Sequence, residues 1–386
     1  MAAARGKYVI ACEGVYTEAL DISIGIRLFG GFTCPSADSA AWSHKRGLVS
    51  RVAPTQPGFA LSVRSVDGKV EIEDFEFESM PAEEPGESSV AAFVTHSANV
   101  LLRRVRVSAG SGSTGLDAPS AAFTFPSLDE LRGSPGSVGG AAKICTCPDG
   151  STTTGGEASA SPESVASVGQ PASDLVGGQA GNAAMSCSQG GSGFPGARGI
   201  SSADAASSTS FGALTEAGFL GTDGEPGRAG APGQGGGGAG QPRGGGGGCG
   251  GCGGRGGLGG RAGGSSIALI SIASQLTLDC GALTARDGGA GGRGAPGQRG
   301  QVEFGAGGDG VGDACAGGPG GPGGNGGSGS GAAGGLSVAL MYRGNAPTLI
   351  GGTLLQNGAP GAAGLGGSVG LNDGSAGVAQ QTLEMP

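Results

Sequence analysis

The run VEIEDFEFES, residues 70–79, is answered by VLLRRVRVSA, residues 100–109. With Val70 set on Val100, Ile72 meets Leu102, Phe75 meets Val105 and Phe77 meets Val107. Between them Glu73 meets Arg103, Asp74 meets Arg104 and Glu76 meets Arg106. Alternate residues of a strand face opposite ways, and neighbouring strands lie ~4.8 Å apart. One register therefore places apolar on apolar inside and carboxylate on guanidinium outside, as stabilising cross-strand pairs require. This is the pattern of stacked parallel rungs, with Glu73–Arg103, Asp74–Arg104 and Glu76–Arg106 as inter-rung ion pairs. The acidic run also has two chemical readings, a carboxylate ladder for Ca²⁺ and the acid pair of a polysaccharide-cleaving enzyme. The opposing arginines favour solvent-facing structural pairs.

The same unit recurs. FALSVRSVDGKVEIEDFEFESM from Phe59, SSVAAFVTHSANVLLRRVRVSAG from Ser88, SSIALISIASQLTLDCGALTARDG from Ser265 and LSVALMYRGNAPTLIGGTLLQNG from Leu336 read alike. Each has an apolar strand, a polar turn, an alternating second strand and a small-residue exit. No helical period lies between them, which predicts a coil of parallel β-structure rather than βαβ units. The opening YVIACEGVYTEALDISIGIRLFGGF has the same character.

On these residues the chain resembles right-handed parallel β-helix proteins of the pectin-lyase-like architecture, over about 1–110, 265–287 and 336–358. The phrases YTEALDISIGIRLFGGF and GGSSIALISIASQLTLDCGALTARDGG are similar to those of glycine-rich bacterial surface proteins whose rungs are separated by long glycine-rich insertions. The resemblance implies an all-β fold with very little α-helix. Many lyases of that wider family carry clustered Asp, Lys and Arg on an exposed groove, and no such cluster maps onto this sequence.

Between the rungs, glycine recurs every third residue, as in Gly221 to Gly236, Gly288 to Gly300, Gly317 to Gly329 and Gly358 to Gly370. A flexible linker needs glycine but no period. A period of three is that of polyproline II, at ~3.1 Å per residue. Collagen needs longer runs with more proline. The sequence predicts a bundle of short polyproline-II/polyglycine-II helices whose bare backbones approach and bond one another, with disorder as the alternative. Such bundles resemble those of some phage tail-tip adhesins and glycine-rich antifreeze proteins. The predicted order is rungs at 1–110, a Ser/Gly-rich insertion at 111–264, a rung at 265–287, a glycine-rich insertion at 288–335, a rung at 336–358 and a glycine-rich segment at 359–386. SAAFTFPSLDELRG, within 111–220, is read as a short turn or helix.

Bulk composition narrows the function. Glycine supplies 91 of 386 residues, over three times the ~7% of ordinary chains. A net charge of −9 gives no footprint for nucleic acid or an anionic membrane. No apolar run approaches the ~20 residues of a transmembrane helix, and MAAARGKYVIAC is too short and strand-like for a signal peptide, so Met1 is read as the start of a truncated or processed form. Nine cysteines (Cys12, Cys34, Cys145, Cys147, Cys187, Cys249, Cys252, Cys280 and Cys315) favour an oxidising, extracellular or cell-surface setting. The odd count leaves one thiol free or shared with another chain. Cys12 and Cys34 sit near successive strand ends and are read as a staple. CTC and CGGC suggest half of a zinc site, but His44 and His96 lack ligand spacing, and structural disulfides are favoured.

The CGGC motif is decided by geometry. In the Gly-Gly-x frame Cys249, Cys252, Arg255, Leu258 and Arg261 share one edge of a three-fold helix, each about 9.3 Å from the next. That exceeds the ~7 Å reach of a disulfide, so each sulfur is expected to bond a different neighbour, with Cys280, Cys315 and Cys187 as candidates. No nucleophile elbow, Walker loop or triad stands in a suitable context. The expectation is therefore a non-enzymatic structural or adhesive scaffold without cofactor or metal, self-associating end to end into an oligomer or filament, with surface polysaccharide as a candidate partner. The alternatives are a carbohydrate-binding or polysaccharide-cleaving β-helix protein and an ice-binding protein.

Overall fold

The computed structural model of the chain describes residues 8–35, 42–45, 47–171, 177–183, 186–187, 192–196, 203–207 and 209–386. Short strands visit three faces, A, B and C, in strict rotation. Turn one is β1 (Tyr8–Cys12), β2 (Gly14–Tyr16) and β3 (Leu20–Ile22). Turn two is β4 (Ile26–Thr33), with β5 (Ser43–His44) antiparallel beside it, then β6 (Ser50–Val52) and β7 (Leu61–Arg64). Turn three is β8 (Val70–Glu73), β9 (Phe75–Glu78) and β10 (Ser89–Thr95). Turn four begins with β11 (Val100–Arg103) and β12 (Arg106–Ser108). It is then interrupted by α1 (Leu128–Leu131), the hairpin β13 (Lys143–Thr146) and β14 (Thr152–Gly155), and the hairpin β15 (Gly212–Thr215) and β16 (Gly218–Gly221). It closes with β17 (Ser266–Ile272). Turn five is β18 (Leu276–Asp279), β19 (Ala282–Thr284) and β20 (Ser337–Arg343). Turn six is β21 (Thr348–Ile350), β22 (Leu354–Gln356) and β23 (Ala379–Glu384).

Like-placed strands pair in parallel, giving face A as β1-β4-β8-β11-β18-β21, face B as β2-β6-β9-β12-β19-β22 and face C as β3-β7-β10-β17-β20-β23. The chain is thus all-β, a parallel coil with almost no helix. The offset that opened the sequence reading is the observed register, Val70 on Val100, Ile72 on Leu102 and Phe77 on Val107. Inside, Leu28, Ile72, Leu102 and Leu278 stack along face A, and Val52, Phe77, Val107 and Leu283 along face B. Each such buried side chain contributes about 1.5–3 kcal/mol.

Left-handed residues turn the corners. Asp74, Arg104, Cys280 and Gly351 bend the chain from face A to face B, and Ser65, His96, Ala273 and Gly344 bend it from face C to face A. A left-handed L-residue costs ~1–2 kcal/mol. The stacked turns offset that cost, because the N–H groups of Asp74, Arg104 and Cys280 each donate to a carbonyl of the next turn. Buried Ser97 and Ser274 complete the second corner by accepting from Val66 and Ser97 backbone N–H groups at 3.2 and 3.0 Å.

Two features depart from the sequence reading. Residues 359–386 are not only glycine-rich, since they carry β23, whose polar AQQTLE hid its strand character. Face C, built from the apolar first strand of each unit, is buried on both sides, a burial the alternating pattern of the second strands did not cover. Phe93, Ile267, Ile270 and Met341 face outward beneath Leu214 and Phe219 of the β15–β16 hairpin. A strand buried on both faces reads as a continuous apolar run, as ALISI in β17 does.

The three glycine-rich insertions leave from one corner, between faces B and C. The connections β12 to β17, β19 to β20 and β22 to β23 carry the glycine runs, so successive turns launch them side by side.

Candidate functional site

The glycine runs form a hydrogen-bonded lattice continuous with the coil. Gly224, Gly227, Gly230, Gly233, Gly236 and Ala239 donate to the carbonyls of Gly260, Gly257, Gly254, Gly251, Gly248 and Gly245 at 2.8–3.0 Å, an antiparallel lane with one bond per three residues. Gly245, Gly248, Gly251, Gly254, Gly257, Gly260 and Gly263 donate in turn to Cys315, Gly318, Gly321, Gly324, Gly327, Ser330 and Ala333, a parallel lane. The next bond in that lane, Ser266 to Leu336, opens the β17–β20 sheet pairing. A bond every third residue is the repeat of a three-fold extended helix.

The run 245–264 lies at the centre. Its x-position carbonyls, Cys252, Arg255, Leu258 and Arg261, accept from Gln301, Gln298, Ala295 and Gly292, while the N–H groups of Cys249 and Arg261 donate to Leu131 and Leu116. With neighbours on every side its Gly-Gly positions have no room for side chains, and a Cβ on Gly253 would overlap the Gly230 carbonyl oxygen. Proline obeys the same lattice. It is absent from 244–264, where N–H groups are spent on neighbours, yet Pro226, Pro232, Pro296, Pro319, Pro322 and Pro360 stand in the outer runs.

Where the 112–136 segment arches away from the central run, two glutamines fill the lane. Gln301 Oε1 accepts from the Cys252 N–H at 3.1 Å and its Nε2 donates to the Pro126 carbonyl at 2.8 Å. Gln298 does the same between Arg255 and Phe123. Beyond the arch α1 is held by a capping box between Ser127 and Glu130.

The cysteines staple this assembly. Cys12 bonds Cys34, with Cα atoms 5.3 Å apart, at the start of the coil. Cys249 and Cys252 take separate partners, and these are Cys145 and Cys147, at Cα separations of 6.2 and 5.5 Å, rather than Cys187, Cys280 or Cys315. The β13–β14 hairpin lies along the x edge of the central run and brings both sulfurs there. Cys315 instead bonds Cys187. Cys280, exposed at the A–B corner of the coil, is the free thiol. The neighbouring Asp279 carboxylate holds that thiol above its ordinary range, the opposite of an activated cysteine.

On face A the charged ladder is a network. Arg103 pairs with Glu73 at 2.9 Å and Asp279 at 3.0 Å, and Arg104 with Asp74 at 2.8 Å and Glu73 at 2.7 Å. His44 lies 3.2 Å from Asp74. Burial pushes the Asp74 carboxyl up, but the hydrogen bond and charge of Arg104, with His44 behind, hold it below the usual carboxylate range. The third expected pair is a correction. Glu76 and Arg106 oppose each other in register but make no ion pair. Arg51 on the preceding turn pairs with Glu78 and lies within the field of Glu76, so it neutralises that side of face B. His96 sits at a left-handed corner with Nδ1 3.6 Å from Glu216 of the β15–β16 turn, a contact that helps hold the hairpin on face C.

Two of the open surfaces belong to the coil. At turn one the coil interior forms a cavity of about 340 Å³ lined by Val9, Tyr16, Leu20, Leu28, Val52 and Phe75. Between face B and the roots of the glycine runs, a groove of about 790 Å³ crosses turns three to six past Glu78, Ser108, Thr284, Arg286 and Gln356. Among the described residues no group of three or more His, Cys, Asp or Glu side chains converges as a metal site, and no helix is long and apolar enough to cross a membrane. Compared with protein-family models, curated proteins and solved structures, the chain matches none.

Proposed function

We propose that this chain is a non-enzymatic structural scaffold of the cell exterior, adhesive or filament-forming, in which the coil serves as a platform for a stapled glycine bundle. The observation that carries the reading is the unbroken hydrogen-bond lattice from the glycine lanes into the β17–β20 pairing. It makes one stiff body of segments that composition alone would leave as linkers. Four disulfides support an oxidising, extracellular setting. The ionisable cluster on face A supports the same view, because its carboxylates are spent on arginines. The resemblance read from the rung sequences to glycine-rich bacterial surface proteins, which no comparison matched, is in keeping with this reading. Its test is electron microscopy and light scattering of the full-length oxidised protein across concentrations. Ordered polymers are expected, and a monodisperse monomer throughout would overturn the assembly role.

The polar groove on face B favours a second reading, a site for a carbohydrate chain. It presents carboxylate, hydroxyl, guanidinium and amide groups on successive turns, about 4.8 Å apart. Retardation in polysaccharide-containing gels, lost in Arg286→Ala with Gln356→Ala, is the expected result. Release of reducing ends would move the reading to an enzyme.

A further inference from the structure

The outward columns of the coil change character at its two ends. On face A one column runs Ile10, Phe29, Glu73, Arg103, Asp279, Ile350. On face B another runs Val15, Arg51, Glu76, Arg106, Ala282, Leu354. Both are charged in the middle, where an outward side chain meets water, and apolar in the first and last turns. The terminal members are exposed although apolar, Ile10 at 43%, Val15 at 61%, Ile350 at 47% and Leu354 at 62%. The inner columns end in kind, with Val9 and Tyr16 at the open cavity and Leu349 and Leu355 at the far end. Solvent alone would favour the charged pattern of the middle turns in the end turns too.

We infer that turn six of one copy receives turn one of the next, in register, with Ile10 on Ile350, Val9 on Leu349, Val15 on Leu354 and Tyr16 on Leu355. This deepens the scaffold reading and rests on it. The occupant is a second copy because the junction repeats the turn-on-turn stacking already present within the chain. Among the described residues the outer edges of β1 and β2 have no partner strand, and in the junction they continue the ladders of β21 and β22. The apolar match lies on faces A and B, since face C ends in Thr382 and Glu384. The contact is head to tail and stacks copies along the coil axis, so it does not close into a ring and propagates as a filament. Six turns at ~4.8 Å give an axial repeat of about 29 Å.

Thiol pairs test the register. On a Cys280→Ser background, Val15→Cys with Leu354→Cys, and separately Ile10→Cys with Ile350→Cys, are oxidised with diamide and run without reductant. Ladders of covalent oligomers are expected from both. Polymers that form without these crosslinks would overturn the register while leaving the scaffold reading intact, whereas absence of any polymer would overturn both. A second pair of variants avoids new cysteines. Ile10→Lys with Val15→Lys, and Ile350→Lys with Leu354→Lys, are each expected to be monomeric alone and to form a one-to-one dimer when mixed, through their remaining native ends. Failure of the mixture to dimerise would overturn the head-to-tail contact.

Discussion

Gln298 grips Phe123 with both atoms of its amide, Oε1 accepting the Phe123 N–H at 2.8 Å and Nε2 donating to the Phe123 carbonyl at 3.0 Å. The same Oε1 accepts from the Arg255 N–H at 3.2 Å. One side chain thus stands in for a missing backbone strand. Gln298→Leu removes acceptors from two N–H groups and is expected to cost about 1–3 kcal/mol, read as a lower urea midpoint. Gln298→Glu keeps the acceptor and should lose less. Equal stability of wild type and Gln298→Leu would show that water replaces the amide without penalty.

The lattice makes adjacent positions respond oppositely. Gly321 donates to the Gln234 carbonyl at 2.8 Å, whereas Pro322 has no N–H to give. Gly321→Pro should destabilise by about 3 kcal/mol or more, while Pro322→Ala should change stability by at most ~1 kcal/mol. Thermal melts of the two variants, made in parallel, compare them directly.

Cys145–Cys249 and Cys147–Cys252 close nearly the same loop, with sequence separations of 104 and 105 residues. In the chain-entropy account the first bond removed leaves that long loop closed, and only the second opens it. Replacing one pair by serines is expected to cost about 2 kcal/mol, and removing the other as well a further 4–5 kcal/mol or so. Peptide mapping should recover the two long-range bonds and no Cys249–Cys252 bond.

Acid should loosen face A. The Asp74 carboxyl is held below its ordinary range by Arg104 and His44, and the Glu71 carboxyl, raised by burial, is brought below its range by Lys69 and Arg27. A depressed folded-state pKa gives stability that is complete above the ordinary carboxylate range, from about pH 5 upward. It is lost as the pH falls through that range toward the folded value. Unfolding free energies should therefore decline below about pH 5, and Asp74→Asn, which suits the left-handed corner, should flatten that decline. An unchanged slope would remove Asp74 from the account.

The coil was legible because its signals are local and doubled. Glu73 and Arg103 fix a register that Ile72 and Leu102 fix independently, and the units from Phe59, Ser88, Ser265 and Leu336 all open on face C. The period of three in glycine was equally readable, since it follows from the backbone itself. What stayed hidden depends on distance or on exceptions. The partners of Cys249 and Cys252 lie more than a hundred residues away, beyond any spacing rule. Asp74, Arg104, Ala273 and Cys280 hold left-handed corners that glycine would ordinarily advertise. β23 reads as polar because most of its AQQTLE residues are exposed, and the outward apolar residues of face C became intelligible only under the hairpin that covers them. Gln298 and Gln301 did carry a faint sign, two amides three residues apart in a run otherwise built of small residues.

Because the long runs leave from a single corner and bond once every three residues, their lengths obey a grammar. Adding Gly-Gly-x to a run and to the partner folded back on it lengthens both by about 9.3 Å and restores the lane between them. Adding one or two residues rotates all later donors away from their acceptors. Insertions and deletions here have a reading frame of three amino acids, so such a bundle can change height through duplication of short glycine codon blocks while the coil beneath keeps its six turns.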